Sequence, residues 1–144
     1  MRWIIPALLG ASLSLGCGNV SGPPEGLSHA LAMNTCGPAD GPATAIYLAP
    51  EPIQAVSPSY PYVRIAIWQD VTQLAGGTYR LDGAASALYT PGAGTFELAS
   101  RGTVTIRRVG PENRVEGVVD LQFSFRRVLG TFSAAWVQLE LLCG

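Results

Sequence analysis

Val119-Asp120-Leu121-Gln122-Phe123-Ser124-Phe125 decides the fold: apolar side chains stand at every odd position and polar ones between them. A period of two puts one set on each face of a strand, whereas a helix would repeat near 3.6. The flanking segments carry the same signal. Phe96, Leu98, Val104 and Ile106 share even phase, and Phe132, Ala134 and Trp136 return to it. A slip of one residue would turn an apolar set to solvent, so paired residues across each hairpin must sum to an odd number. With Gly110-Pro111-Glu112-Asn113 as a loop, Val104 falls opposite Val119. A loop over Arg126 to Leu129, or Arg127-Val128 alone, puts Phe123 opposite Phe132 and Val119 opposite Trp136. Both loops have ordinary hairpin lengths, and Pro111 suits the first central position of a type I turn.

Further out the reading becomes coarser. Phe96 to Ile106 reads as one strand bent at Gly102 or as a three-residue hairpin. The switch of phase from Trp136 to Val137, Leu139 and Leu141 predicts a bulge near Ala135 or a last strand buried on both faces. Upstream, Tyr62 to Trp68 alternates, with Val63, Ile65 and Ile67 on one face. Thr44 to Ala49 and Thr78 to Asp82 read as short strands, and Ala84 to Gly94 as small and turn-rich. The four prolines between Pro50 and Pro61 mark a long loop. Short strands with Gly- and Pro-rich turns predict an all-β domain: an antiparallel β-sandwich or a small β-barrel with a C-terminal meander.

The chain has 144 residues, room for one domain. Nine basic residues, all Arg, stand against ten acids, and charged residues make up 13%. That balance excludes a basic nucleic-acid binder and an acidic disordered tail, which need a one-sided excess.

The N-terminus is organised differently. Arg2 is followed by an uncharged run from Trp3 to Leu15. A positive start, a short apolar run and small residues before a cut site make a secretory signal, here residues 1–16. The run is too short for a membrane-spanning helix, which needs roughly 20 apolar residues. Leu13-Ser14-Leu15-Gly16-Cys17 resembles the lipobox of bacterial lipoproteins. The resemblance implies cleavage before Cys17 and lipidation of its sulfur and new amino group with palmitate-type chains. It departs at Ser14, where Leu is usual, and Ser14 with Gly16 also suits the ordinary signal peptidase. The expected address is the cell envelope, at an outer membrane facing the periplasm or the surface.

Three cysteines fit this plan. With Cys17 lipidated, Cys36 and Cys143 remain to pair in an oxidising compartment or to stay as separate buried thiols. Residues 17–42, rich in Gly, Pro and Ser, read as a tether with at most one helical turn between Leu27 and Met33, and the β-domain as 43–144.

Little catalytic equipment is visible. His29, the only histidine, lies in the tether, away from any nucleophile. No CxxC or His-x-x-x-His occurs, so no metal site or cofactor is expected. Asp120, Glu97 and Glu140 have suitable parity for paired carboxylates but sit among ordinary solvent-facing positions. Gly92-Ala93-Gly94 lacks the Lys of a phosphate loop. Six arginines lie between Arg101 and Arg127, but Arg107/Arg108 and Arg126/Arg127 flank opposite ends of one strand and read as solvated charges. Tyr60 and Tyr62 around Pro61 are the candidate binding residues, an aromatic platform or a strand-edge cover.

Arg101-Gly-Thr-Val-Thr-Ile-Arg, Arg114-Val-Glu-Gly-Val-Val-Asp-Leu-Gln-Phe and Leu129-Gly-Thr-Phe-Ser-Ala-Ala-Trp136 together resemble a group of small bacterial lipoproteins with a C-terminal β-rich domain. That group has no assigned activity, so the resemblance bears on fold and address alone. The expectation is a membrane-anchored, non-catalytic envelope module with a protein or glycan partner and no nucleic acid. The alternative is a β-barrel or sandwich that binds a small apolar or carbohydrate ligand.

Overall fold

The computed structural model describes residues 20–54, 58–110 and 114–144. The segment read as a secretory signal, Cys17 and the turn expected at Pro111 lie outside the described residues. Among the described residues the strands are β1 (His29–Cys36), β2 (Pro42–Ala49), β3 (Tyr62–Ile67), β4 (Thr78–Arg80), β5 (Ala85–Gly92), β6 (Thr95–Leu98), β7 (Arg101–Gly110), β8 (Arg114–Gln122) and β9 (Arg127–Val137). A single 3-10 turn over Val71–Gln73 is capped by Asp70, whose carboxylate accepts from the Thr72 amide at 2.9 Å. The protein is all-β. Its strands form one sheet in the order β4-β7-β8-β9-β1-β2-β3-β5-β6, curled into a half-barrel. The two halves of that sheet share one core, in which Ile46, Leu48, Val63 and Ile65 join Val104, Val119, Leu121 and Phe123.

Every pairing in the sheet is antiparallel except one. β1 runs parallel to β9, with Leu31 opposite Ala135 and Met33 opposite Val137, so the sheet is mixed. That strand corrects the largest misreading of the sequence. Residues 29–36 are neither tether nor helical turn but a central strand. Ala32 is buried on the inner face, while Leu31 and Met33 are buried beneath Ile53 and Leu139 on the outer one. A strand covered on both faces shows no polar alternation, so its period is invisible.

The fixed chain begins earlier still. The Thr131 amide of β9 donates to the Gly22 carbonyl at 2.8 Å, and Leu27 is buried in the core. From Gly22 onward, therefore, the segment expected as tether up to residue 42 belongs to the folded domain.

β7, β8 and β9 form the expected meander. Val104 does lie opposite Val119, although a bulge at Arg107 brings Gly110 opposite Arg114 at the hairpin end. The β8–β9 register differs from expectation by six residues. Val119 pairs with Gly130 and Gly117 with Phe132, and the loop is Phe123–Arg126. Both registers have odd sums, so parity could not separate them. Tertiary packing does: Phe123, at the turn, is buried and contacts Tyr89 of β5 at 6.1 Å between ring centroids.

Three further expectations change. Ala85–Gly92 is an eight-residue strand rather than turn, paired with β3 from Ala85 opposite Ile67 to Thr90 opposite Tyr62. Phe96 to Ile106 is neither one strand nor a hairpin. β6 ends one side of the sheet, and β7 belongs to the other. The two sides meet there, where the Ser100 amide donates to the Gln122 carbonyl at 2.8 Å. β9 ends at Val137 without bulge or continuation, because the segment beyond leaves the ladder to cover β1. The Leu139 amide donates to Asn34 Oδ1 at 2.5 Å, and Asn34 Nδ2 donates back to the Leu139 carbonyl at 2.7 Å.

The curl needs inward-facing glycines. A Cβ on Gly117 would overlap the Thr105 carbonyl and stand 2.9 Å from the Phe132 ring. Phe132 lies over that gap and fills it, which lets β7, β8 and β9 bend tightly.

Candidate functional site

The structure places the parts of a site on three surfaces. The first holds the tyrosines. Tyr62 begins β3, and Tyr60 precedes it across a cis peptide bond to Pro61. Their rings stack with centroids 5.7 Å apart and planes 19° apart. Tyr47 of β2 extends the row, 5.8 Å from Tyr62. Arg64 Nε donates to the Tyr47 hydroxyl at 3.2 Å, which fixes that end. Tyr60 is half-exposed, so the row presents an aromatic face and a guanidinium on the outer surface. Tyr47 and Arg64 were missed in the sequence. Tyr47 lies opposite Arg64, but the long loop between β2 and β3 hides that register.

The second surface is the outer face of β4, β7, β8 and β9. Across it Arg80 lies opposite Thr103, Thr103 opposite Asp120, and Asp120 opposite Leu129. One step along, Arg101 faces Gln122, which faces Arg127. An open concavity of about 410 Å³ results, lined by three arginines around Asp120. Arg127 grips Asp120 with two hydrogen bonds of 2.7 Å, and Arg80 pairs with Asp82 at 2.7 Å. Those hydrogen bonds hold the Asp120 carboxyl below its usual range, with the charges of Arg127 and Arg101 adding to the effect. The same contact raises Arg127. Arg101 makes no ion pair among the described residues. At the far end of β8, Arg108 pairs with Glu116 at 2.8 Å.

The third surface is the rim where β9 begins. Phe125 sits on the β8–β9 turn with its ring 4.8 Å from Tyr89. The Arg126 guanidinium carbon lies 6.0 Å and 5.9 Å from the Tyr89 and Phe125 ring centroids. Glu97 of β6 accepts from the Ser124 amide at 2.6 Å, which ties the β5–β6 hairpin to this turn. Phe96, Leu98 and Phe125 share the apolar phase of core residues, yet they are 69%, 60% and 50% exposed.

The remaining candidates do not converge. Asp120, Glu97 and Glu140 occupy the β8 face, the rim and the C-terminal segment respectively, and the first two are engaged by Arg127 and the Ser124 amide. His29 opens β1. Gly92 and Gly94 form the β5–β6 turn, Gly94 with φ +75°. Among the described residues no group of three His, Cys, Asp or Glu is placed to hold a metal. Cys36 and Cys143 are bonded, with Cα atoms 5.6 Å apart.

No protein-family model, curated protein or solved structure matches the chain.

Proposed function

We propose that the chain is an exported lipoprotein of the bacterial cell envelope, anchored through lipid on Cys17, whose β-domain is a non-catalytic interaction or structural module. The observation that carries this reading is the Cys36–Cys143 bond. It accounts for two of three cysteines as an oxidising compartment would, and leaves Cys17, at the end of the lipobox-like segment, for the lipid. The interior supports a module rather than a container. Phe123, Ile46, Leu48, Ile65, Ile67 and Leu121 fill it, and the polar groups collect on outer faces. Its partner is an envelope protein or glycan, and its address is an outer membrane, facing the periplasm or the surface.

The test is the mass of the Cys17 peptide from cells expressing the protein, with detergent-phase partition of wild type and Cys17→Ala. Diacylglycerol and acyl mass on Cys17, and a shift of the variant to the aqueous phase, are expected. An unmodified Cys17 in the processed chain overturns the reading.

A second reading is favoured by the stacked tyrosines: a carbohydrate platform at Tyr60, Tyr62 and Tyr47, where sugar rings lie on exposed aromatic faces and Arg64 stands ready to donate.

A further inference from the structure

Arg80, Arg101 and Arg127 are far apart in sequence, and the sheet brings them together. Arg101 opens β7 and Arg127 opens β9, and the two lie opposite Gln122 of β8 from its two sides. Neighbouring strands run about 4.8 Å apart, so these two backbones stand about 10 Å apart across β8. Arg80 enters from β4, opposite Thr103. Between Arg101 and Thr103, Gly102 has φ +151°, and a Cβ there would overlap the Asp120 carbonyl. Glycine at that position lets β7 bend closely onto β8. The concavity of about 410 Å³ that results has the size of a small-ligand site, roughly 300–1,000 Å³.

The ion pairs orient this site without using it up. Arg127 reaches Asp120 through Nε and Nη2, and Arg80 reaches Asp82 through the same two nitrogens. A guanidinium has five N–H donors in one plane, so each of these two keeps its Nη1 hydrogens while an acid fixes its orientation. Arg101 makes no ion pair or side-chain hydrogen bond among the described residues and keeps its whole fork. Asp120 accepts one hydrogen bond on each oxygen, about half of what a carboxylate can accept. Gln122 donates to the Phe123 carbonyl at 2.7 Å, which leaves its own oxygen as an acceptor beside Arg101.

This pattern selects among anions. The guanidiniums of Arg80, Arg101 and Arg127 against the carboxylates of Asp82 and Asp120 leave a single positive charge in excess. A run of anionic groups, as in an acidic peptide or a polyphosphate, would set negative charge against Asp120. A neutral sugar would leave the Arg101 charge unmatched. A sugar unit with one carboxylate and several hydroxyls satisfies both sets of groups. Its carboxylate takes paired N–H bonds from Arg101, a fork that fits a planar carboxylate. Its hydroxyls donate to Asp120 and Gln122 and accept from the remaining hydrogens of Arg80 and Arg127.

We infer that the concavity between Arg80, Arg101 and Arg127 binds a uronate-type sugar unit of an acidic polysaccharide, with Arg101 holding the carboxylate. The inference deepens the glycan-partner reading and rests on it, but it does not depend on the Cys17 lipid or on the tyrosine row.

The test is calorimetric titration, at low salt, of the full chain purified in detergent from cells, with the mass of the Cys17 peptide recorded. The probes are trigalacturonate, its neutral methyl ester, a short poly-glutamate and inorganic phosphate. Trigalacturonate should bind at least about tenfold more tightly than the other three. Arg101→Gln should weaken it by at least about tenfold, the scale of one charge-assisted hydrogen bond, with an unchanged melting temperature. Arg107→Gln removes the same charge about 20 Å further along β7 and should leave binding within about twofold. Tyr60→Ala should also leave it unchanged. Equal binding of poly-glutamate or phosphate overturns the sugar class, and equal loss in Arg107→Gln overturns the site in favour of diffuse charge. Loss in Tyr60→Ala with none in Arg101→Gln moves binding to the tyrosine row and overturns the site as well. Lipid on Cys17 with no binding of trigalacturonate overturns this inference and leaves the envelope anchor standing. Binding that follows Arg101 in a chain without that lipid supports the site and overturns the anchor alone.

Discussion

Gly130 lies flat against Pro24: a Cβ at position 130 would overlap the Pro24 backbone nitrogen and stand 2.6 Å from its Cδ. This contact, with the Thr131–Gly22 hydrogen bond beside it, turns a Gly- and Pro-rich segment into part of the sheet.

Gly130→Ala should therefore push the entering segment off β9. The overlap is with backbone and cannot relax by rotating a side chain. Overpacking of this kind costs about 1–3 kcal/mol. Urea denaturation measures it, and proteolysis of the variant should begin before Leu27. A variant as stable as the parent would mean that residues 22–27 contribute nothing to the fold.

Phe123 closes the β8–β9 turn against Tyr89 and Phe125 and is almost wholly buried. Truncation to Ala leaves a ring-sized cavity where the two sides of the curled sheet meet, a loss of about 3–5 kcal/mol. Phe125→Ala removes a half-exposed ring and should cost well under half as much. Paired unfolding curves test the ranking.

The Cys36–Cys143 bond spans 107 residues of sequence. Cross-linking a loop of that size removes about 4–5 kcal/mol of unfolded-state entropy on the chain-entropy account. Cys143→Ser, or reduction, should lower stability by up to that amount. Hydrogen exchange should rise first at Leu139 and Asn34, whose mutual hydrogen bonds hold the C-terminal segment on β1.

Acid should weaken the outer face of β8. Arg127 and Arg101 depress the Asp120 carboxyl, Arg108 depresses Glu116, and Arg80 depresses Asp82. A carboxylate with a lowered folded-state pKa contributes its full stability above its unfolded value, near 3.9–4.3. That contribution is lost as pH falls through the folded value. The melting temperature should drop below about pH 4, and Asp120→Asn should flatten the decline. These pairs are solvent-exposed, so the effect is small and fades with salt.

Tyr60→Ala tests the carbohydrate platform. Tyr60 is half-exposed, so stability should barely change. Retention on immobilised envelope polysaccharide should fall by roughly tenfold, the scale of one lost stacking contact. Unchanged retention would remove the tyrosine row from the function.

Alternation made the meander legible because β8 has one face in the core and one in water. Val115, Gly117, Val119 and Leu121 are buried between partly exposed neighbours. Tyr60 and Tyr62 were visible as an aromatic pair, since adjacency in sequence is enough to stack them. Tyr47 and Arg64 were not, because their pairing crosses a loop whose length carries no register. The arginine-lined concavity was hidden for a related reason. Its arginines come from three strands and approach only when the sheet curls.

The sequence by itself determined the all-β class, the positions of β3 and the meander, the Val104–Val119 pairing and the cysteines able to pair. These follow from local periodicity and from arithmetic on few residues. Only the tertiary structure decided that residues 29–36 form a central strand parallel to β9. Only it decided that β9 is shifted by six residues, that β6 and β7 lie on opposite sides of the sheet, and that Phe96 and Phe125 face outward. Parity fixes which face a residue takes but not which residue it meets, and two-sided burial erases parity altogether. Long-range packing, led by Phe123 against Tyr89 and Gly130 against Pro24, selects one arrangement among those that parity permits.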